Sequence, residues 1–109
     1  MANTFKLKTK ANVGVSTVGI YTAPAATTTV VIGITLSNTS GSGVNVGVGI
    51  TRAGTTEDIK LLKNAPIPQG SSLEFMGGNK VVLATTDTLT VDSDTTNSVD
   101  AALTIMEIT

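Results

Sequence analysis

Neither cysteine nor histidine occurs in these 109 residues, and the two absences remove much of the chemistry a small domain can perform near neutral pH. Without cysteine there is no disulfide, no thiol nucleophile and no soft-metal site. Without histidine there is no imidazole to relay protons or to complete a Ser-His-Asp triad. Aromatic residues are nearly as scarce, Phe5, Tyr21 and Phe75 being the whole set. The core must then come from branched aliphatics, which suit β-structure. Seven basic residues stand against eight acidic ones, so no overall charge draws the chain to nucleic acid. No apolar run is long enough to span a membrane as a helix. The polar opening Ala2-Asn3-Thr4-Phe5-Lys6 lacks the apolar stretch of a secretory signal.

What is present is threonine, valine and glycine in short alternating runs. The most informative stretch is residues 63–90, where turn formers separate apolar segments. Pro66 and Pro68 withhold backbone donors, which keeps the segment around them out of a central ladder. Residues 71–75 read as a strand. Gly77-Gly78-Asn79 tolerates positive φ and reads as a hairpin connection into Val81-Val82-Leu83, and Thr86-Asp87 opens the next turn.

The same rhythm runs through the rest of the chain. Phe5, Leu7 and Thr9 alternate with Lys6, Lys8 and Lys10, giving one amphipathic and one charged face, as in an edge strand or a docking arm. Residues 13–21 read as one strand ending before Pro24. In residues 29–37 the alternation places Val30, Ile32, Ile34 and Leu36 together on the core face. Asn38-Thr39-Ser40-Gly41-Ser42-Gly43 is a hairpin loop into Val44, Val46, Val48 and Ile50, whose opposite face carries Gly47 and Gly49. Gly54-Thr55-Thr56 turns the chain into residues 57–64, a short strand or a single helical turn, with Leu62 out of phase. Leu89 and Val91 point inward from the next strand. Residues 98–108 close the chain with apolar residues on both faces, as in a strand that lies mid-sheet or against another subunit. Eight or nine short strands with turns at this spacing predict an all-β fold: a single antiparallel β-sandwich over residues 1–109, jelly-roll-like, with 1–10 able to serve as an extended arm.

No motif specifies a reaction. Asp92-Ser93-Asp94-Thr95-Thr96-Asn97 has the carboxylates of a calcium loop, but its sixth and twelfth positions hold Asn97 and Leu103 where glycine and a bidentate acid are required. It reads as a solvated loop. Gly41-Ser42-Gly43 and Gly47-Val48-Gly49 precede no helix whose free amides could hold a phosphate. Glu57, Asp58 and Glu74 lack the aromatic platform of a glycosidase. The chain is read as a non-enzyme with no cofactor and no metal. Charge is distributed unevenly: Lys6, Lys8, Lys10 and Arg52 precede the first acid, Glu57, while Asp87, Asp92, Asp94, Asp100 and Glu107 crowd the last quarter.

The spelling of several segments resembles a family of small virion structural proteins of tailed bacteriophages, notably marine and cyanobacterial ones. The segments are the opening Ala2-Asn3-Thr4-Phe5-Lys6, Ile20-Tyr21-Thr22-Ala23-Pro24-Ala25 leading to Val31-Ile32-Gly33, and Leu36-Ser37-Asn38-Thr39-Ser40-Gly41. Lys63-Asn64-Ala65-Pro66-Ile67-Pro68, Gly70-Ser71-Ser72-Leu73, Asp87-Thr88-Leu89, Ser98-Val99-Asp100 and Glu107-Ile108 complete the set. Ile59-Lys60-Leu61-Leu62 departs from the Tyr-Leu-Val-like strand of the relatives. The resemblance implies a capsid decoration or cement protein located on the virion, made in the host cytoplasm. Its partners would be the major capsid protein or other virion proteins and further copies of itself, a trimer by analogy with shell proteins of this size. A tail, neck or fibre-associated binding module is the alternative. Neither reading involves nucleic acid or a membrane. The residues expected to meet the shell or another subunit are Phe5, Lys6, Leu7, Lys8 and Lys10 of the first segment, Gly47 and Gly49, and Met106 and Ile108. Of these, the lysines are expected to seek an acidic neighbour, and the glycines to admit a backbone from outside.

Overall fold

The structure is a computed structural model that describes residues 3–54, 57–75 and 81–109. Nine strands follow in order: β1 (Asn3–Val13), β2 (Val18–Thr22), β3 (Thr28–Asn38), β4 (Val44–Thr51), β5 (Asp58–Ile67), β6 (Ser72–Phe75), β7 (Val81–Leu83), β8 (Thr88–Ser93) and β9 (Val99–Ile108). Among the described residues there is no helix. One sheet has the order β1-β9-β3-β6 with β7 also beside β3, and the other has the order β2-β8-β4-β5. All pairs are antiparallel.

β7 and β6 follow one another along the same side of β3, opposite residues 29–31 and 34–37, and together make one interrupted strand. Counted so, every step along the chain crosses between the sheets except that from the fourth strand to the fifth. That is the winding of a jelly roll, as the strand spacing predicts. Residues Gly77-Gly78-Asn79, Thr55 and Thr56 lie outside the described residues, but β6 and β7, on either side of the first of these, run in the same direction along β3 and so are not the two arms of the hairpin expected there.

β9 alternates strictly, with Val99, Ala101, Leu103, Ile105 and Glu107 buried and Ala102, Thr104, Met106 and Ile108 on the other side. It lies between β1 and β3, and its outward Ala102, Met106 and Ile108 are half-buried. β4 likewise buries Val44, Val46, Val48 and Ile50. β5 is continuous through Pro66, which a strand at the margin of its sheet permits. Leu62 faces Val48 while Lys60 faces Gly49, so the pairing skips Leu61, and that slip accounts for the phase break around Leu62.

Two further expectations are corrected. Residues 13–21 do not form one strand: β1 ends at Val13, β2 begins at Val18, and Val15 between them is exposed. In β3 the structure buries Val31, Ile34 and Leu36 and leaves Val30 and Ile32 half-exposed. Val31 lies opposite Ile105 and Gly33 opposite Thr104, so Ile32 and Gly33 together occupy one step of the ladder. A bulge of this kind shifts the alternation by one residue, and everything before it changes face.

Loops at one end are gathered by Asp87, whose side chain is 4% exposed. Its Oδ2 accepts from Arg52 Nε at 3.0 Å and from the Ala84 amide at 3.0 Å, and its Oδ1 from the Ala53 amide at 3.3 Å. Its backbone carbonyl accepts from the Ala23 amide, and the neighbouring Thr86 amide donates back to the Ala23 carbonyl. Thr86 is held at φ 68°, a left-handed conformation that a β-branched residue adopts at a cost on the order of 1–3 kcal/mol. Asp87→Ala strands two amides and a guanidinium and should lower stability by about 2–4 kcal/mol. Asp87→Asn, which keeps an acceptor oxygen, should cost less. Denaturant midpoints at constant m check the order.

Candidate assembly surface

The registers of the larger sheet bring outward side chains into rows that cross the strands. Phe5 pairs with Met106, Met106 with Val30, and Val30 with Val82. Phe5 is 68% exposed and Val82 60%. On one side of this row Asn3, Ile108 and Thr28 align, and on the other Leu7, Thr104 and Gly33. Beyond them come Thr9, Ala102, Thr35 and Glu74. Phe5, Leu7, Met106 and Ile108 of the expected contact set therefore share one face.

Where the outward residues are small, the face is hollow. One depression of about 270 Å³ is lined by Thr9, Ala11, Thr35, Ser37, Asp100 and Ala102 among others. A second of about 280 Å³ lies over Ile32, Gly33, Thr35, Glu74, Ala102 and Thr104. Thr35 and Ala102 line both, so the two form one trough beside the ridge of Phe5, Met106, Val30 and Val82. Charge reaches this surface at its margins, through Glu74, Asp100 and Lys10, which borders the first depression. Asp100 there accepts from the Asn12 amide at 3.0 Å.

The remaining expected contacts lie elsewhere. Gly47 and Gly49 are buried, and the close backbone is the chain's own. A Cβ at Gly49 would stand 2.7 Å from the Ile59 carbonyl oxygen, and one at Gly47 would stand 3.3 Å from that of Leu62 and would overlap the Asp92 carboxylate. The bulged β5 fills the space an outside strand was expected to take. Asp92 and Asp94 are occupied locally, Asp92 accepting from Thr17 Oγ1 and Asp94 from the Asn45 amide. Among the described residues no group of three acidic side chains could hold a metal ion.

Lys6, Lys8 and Lys10 pair with Ile105, Leu103 and Ala101, the core-facing residues of β9, so they point toward the open margin between the sheets and away from the apolar rows. The acidic neighbour expected for them is internal. Lys6 Nζ lies 2.8 Å from Oε1 of the buried Glu107. Glu107 Oε2 accepts from the Tyr21 hydroxyl at 2.5 Å, which is 2.8 Å from Thr29 Oγ1. Alternation along β9 puts Glu107 in phase with Leu103 and Ile105, but no local pattern reveals its partners, because Tyr21 and Lys6 reach it from separate strands. The trio ties β2 of one sheet to β1 and β9 of the other. Lys6 first, then Tyr21, holds the Glu107 carboxyl below the ordinary value of 4.5. Burial first, then the bond to Glu107, pushes the Tyr21 phenol up to about 12.

Signs follow from linkage. Glu107, lowered in the fold, adds stability that is complete above its unfolded value and is lost as pH falls through its folded one. Tyr21, raised, adds stability that is complete below about 10 and is lost as pH rises toward about 12. Because Tyr21 is the single tyrosine and tryptophan is absent, tyrosinate absorbance reports on it alone. Its midpoint should lie near 12 in the folded chain and return to about 10 on unfolding in urea. Glu107→Gln should lower the folded midpoint.

No protein-family model matches the chain, and no curated protein matches its sequence. Among solved structures it is similar to part of a chain in the crystal structure of the IBDV viral particle, with a TM-score of 0.59 and 14% identity over 96% of this chain and 30% of that one. A chain of infectious bursal disease virus, Gx strain, gives a TM-score of 0.56 and 14% identity over 96% and 32%. A chain of the Bacillus endospore appendages, which form disulfide-linked pili, gives 0.57 and 15% over 99% and 87%. The chain thus spans about a third of the length of the viral chains. What it shares with all three is the fold.

Proposed function

We propose that this protein is a non-enzymatic structural component of a virus particle, and within that class a decoration or cement protein bound to the capsid shell of a tailed phage. The observation that carries the reading is the outer face of the larger sheet. It is wide, apolar along one ridge, free of charge except at its margins among the described residues, and set on a fold that recurs in chains of viral particles. Apolar surface of that extent on a small domain is surface for another protein. The partners are the major capsid protein or another virion protein, together with further copies of this chain.

A tail, neck or fibre module binds through loops clustered at one end of a sandwich, whereas the bare surface here is the middle of a sheet. That difference favours the shell. The pilus-like chain offers a filament as the other reading, but the endospore appendages are disulfide-linked and this chain has no cysteine. Any association it makes is non-covalent in that respect.

The test uses virions and the full chain. Antibody to the chain should label the head in micrographs at regular intervals, and purified protein should bind saturably to shells stripped of it. Bound protein should raise the temperature at which those shells come apart, because a ligand of the intact state stabilises it by mass action. Label confined to the tail, or no binding to stripped shells, would overturn the reading.

A further inference from the structure

The outer face of the larger sheet combines two shapes that match each other. Met106, with Phe5, Val30 and Val82 in its row, stands proud. Two rows further along the strands, Ala102, with Thr9 and Thr35 in its row, floors the trough. The row of Leu7, Thr104 and Gly33 lies midway. A two-fold axis lying in the face along this middle row turns the strand direction over. It sets the ridge of one copy above the trough of the other, and the reverse. β9 then lies over its own copy, Met106 over Ala102 and Ala102 over Met106. From this self-complementarity we infer that the protein forms a two-fold dimer by packing this sheet face against the same face of a second copy.

Charge agrees with that occupant. An isologous interface repeats every side chain, so a single buried charge would meet its own kind near the axis. Here Lys6 and Lys8 are turned to the opposite side of the sheet, and Lys10, Glu74 and Asp100 stay at the margin. Area agrees as well. β1 and β3 are 11 residues long, and four strand positions at about 4.8 Å by about 34 Å of length give roughly 650 Å² per copy. The pair buries about 1,300 Å², above the floor of about 1,000 Å² for a specific interface and far short of an obligate one. The dimer is therefore one that exchanges, with two-fold order in place of the three-fold order expected by analogy. Sheets packed in this way keep their strands nearly aligned about 10 Å apart, with side chains of the two faces interlocking.

The pairing rests on the reading of the chain as an assembly component, but its test is separate. Sedimentation of the full chain across a range reaching tens of micromolar should show a reversible monomer-dimer equilibrium. Val82→Glu, on the ridge where the two-fold sets it over Glu74 of the second copy, should weaken it at least tenfold, and Val15→Glu, equally exposed but off this face, should not. Met106→Lys and Ala102→Glu should each be monomeric when alone and form a heterodimer when mixed, since the two-fold sets those positions over one another. Melting of each variant as a dilute monomer confirms that it is folded. A wild-type chain that stays monomeric or forms a trimer, a dimer indifferent to Val82→Glu, or a mixture with no heterodimer would overturn the pairing. A monomer that still binds shells would do so while leaving the virion reading in place.

Discussion

In β3, Ile32 and Gly33 stand where β9 takes the single step from Ile105 to Thr104, and most of what the molecule hides and shows depends on that extra residue. Without it, Val30 and Ile32 would enter the core together with Ile34 and Leu36, and Val31 and Thr29 would be outside. With it, Thr29 turns inward to meet the Tyr21 hydroxyl, and Val30 turns outward to join Met106 and Val82. The bulge thus supplies both the polar tie between the sheets and the central residue of the apolar ridge. Bulges re-aim side chains at the cost of one ladder position. Here the position is paired with β9 on one side, and on the other it falls at the break between β7 and β6.

The two margins of the molecule are treated differently. β1 is the edge of its sheet, and an unpaired edge invites further strands. Its lysines point inward over a gap that the other sheet leaves open, so another strand arriving edge-on would have to accept them. One of the three is anchored by Glu107, whose burial is offset by two charge-assisted bonds. The edge is therefore protected by the same residues that fasten it to the core, while the broad face beside it is left apolar.

Much of this was legible in the residues. The alternation of Val44, Val46, Val48 and Ile50 and that of Leu103, Ile105 and their neighbours marks half-buried strands, and the spacing of glycine, proline and asparagine marks the turns between them. The all-β sandwich follows from these local signals. The exposure of Phe5 and Leu7 beside inward lysines was visible as a two-faced strand, though not which face looked at solvent. What a linear reading missed depends on register. The bulge in β3 has no distinct spelling, since Ile-Gly-Ile suits an unbroken strand as well as a bulged one. Gly47 and Gly49 correctly signalled a close backbone, but only the slip in β5 reveals that the backbone is internal. The bond from Tyr21 to Glu107 spans 86 positions, and no local pattern announces it.

The pairing of Asn3 with Ile108 also has a consequence for how the chain is made. β1 is made before β9 and has no partner in its sheet until β9 has followed, so the rows that cross β1, β9 and β3 do not exist before β9 is made. Contacts this distant in sequence are slow to form, because loop closure precedes any reward from pairing. A chain that stops short of β9 presents neither ridge nor trough, so the outer face is complete only once β9 has been added.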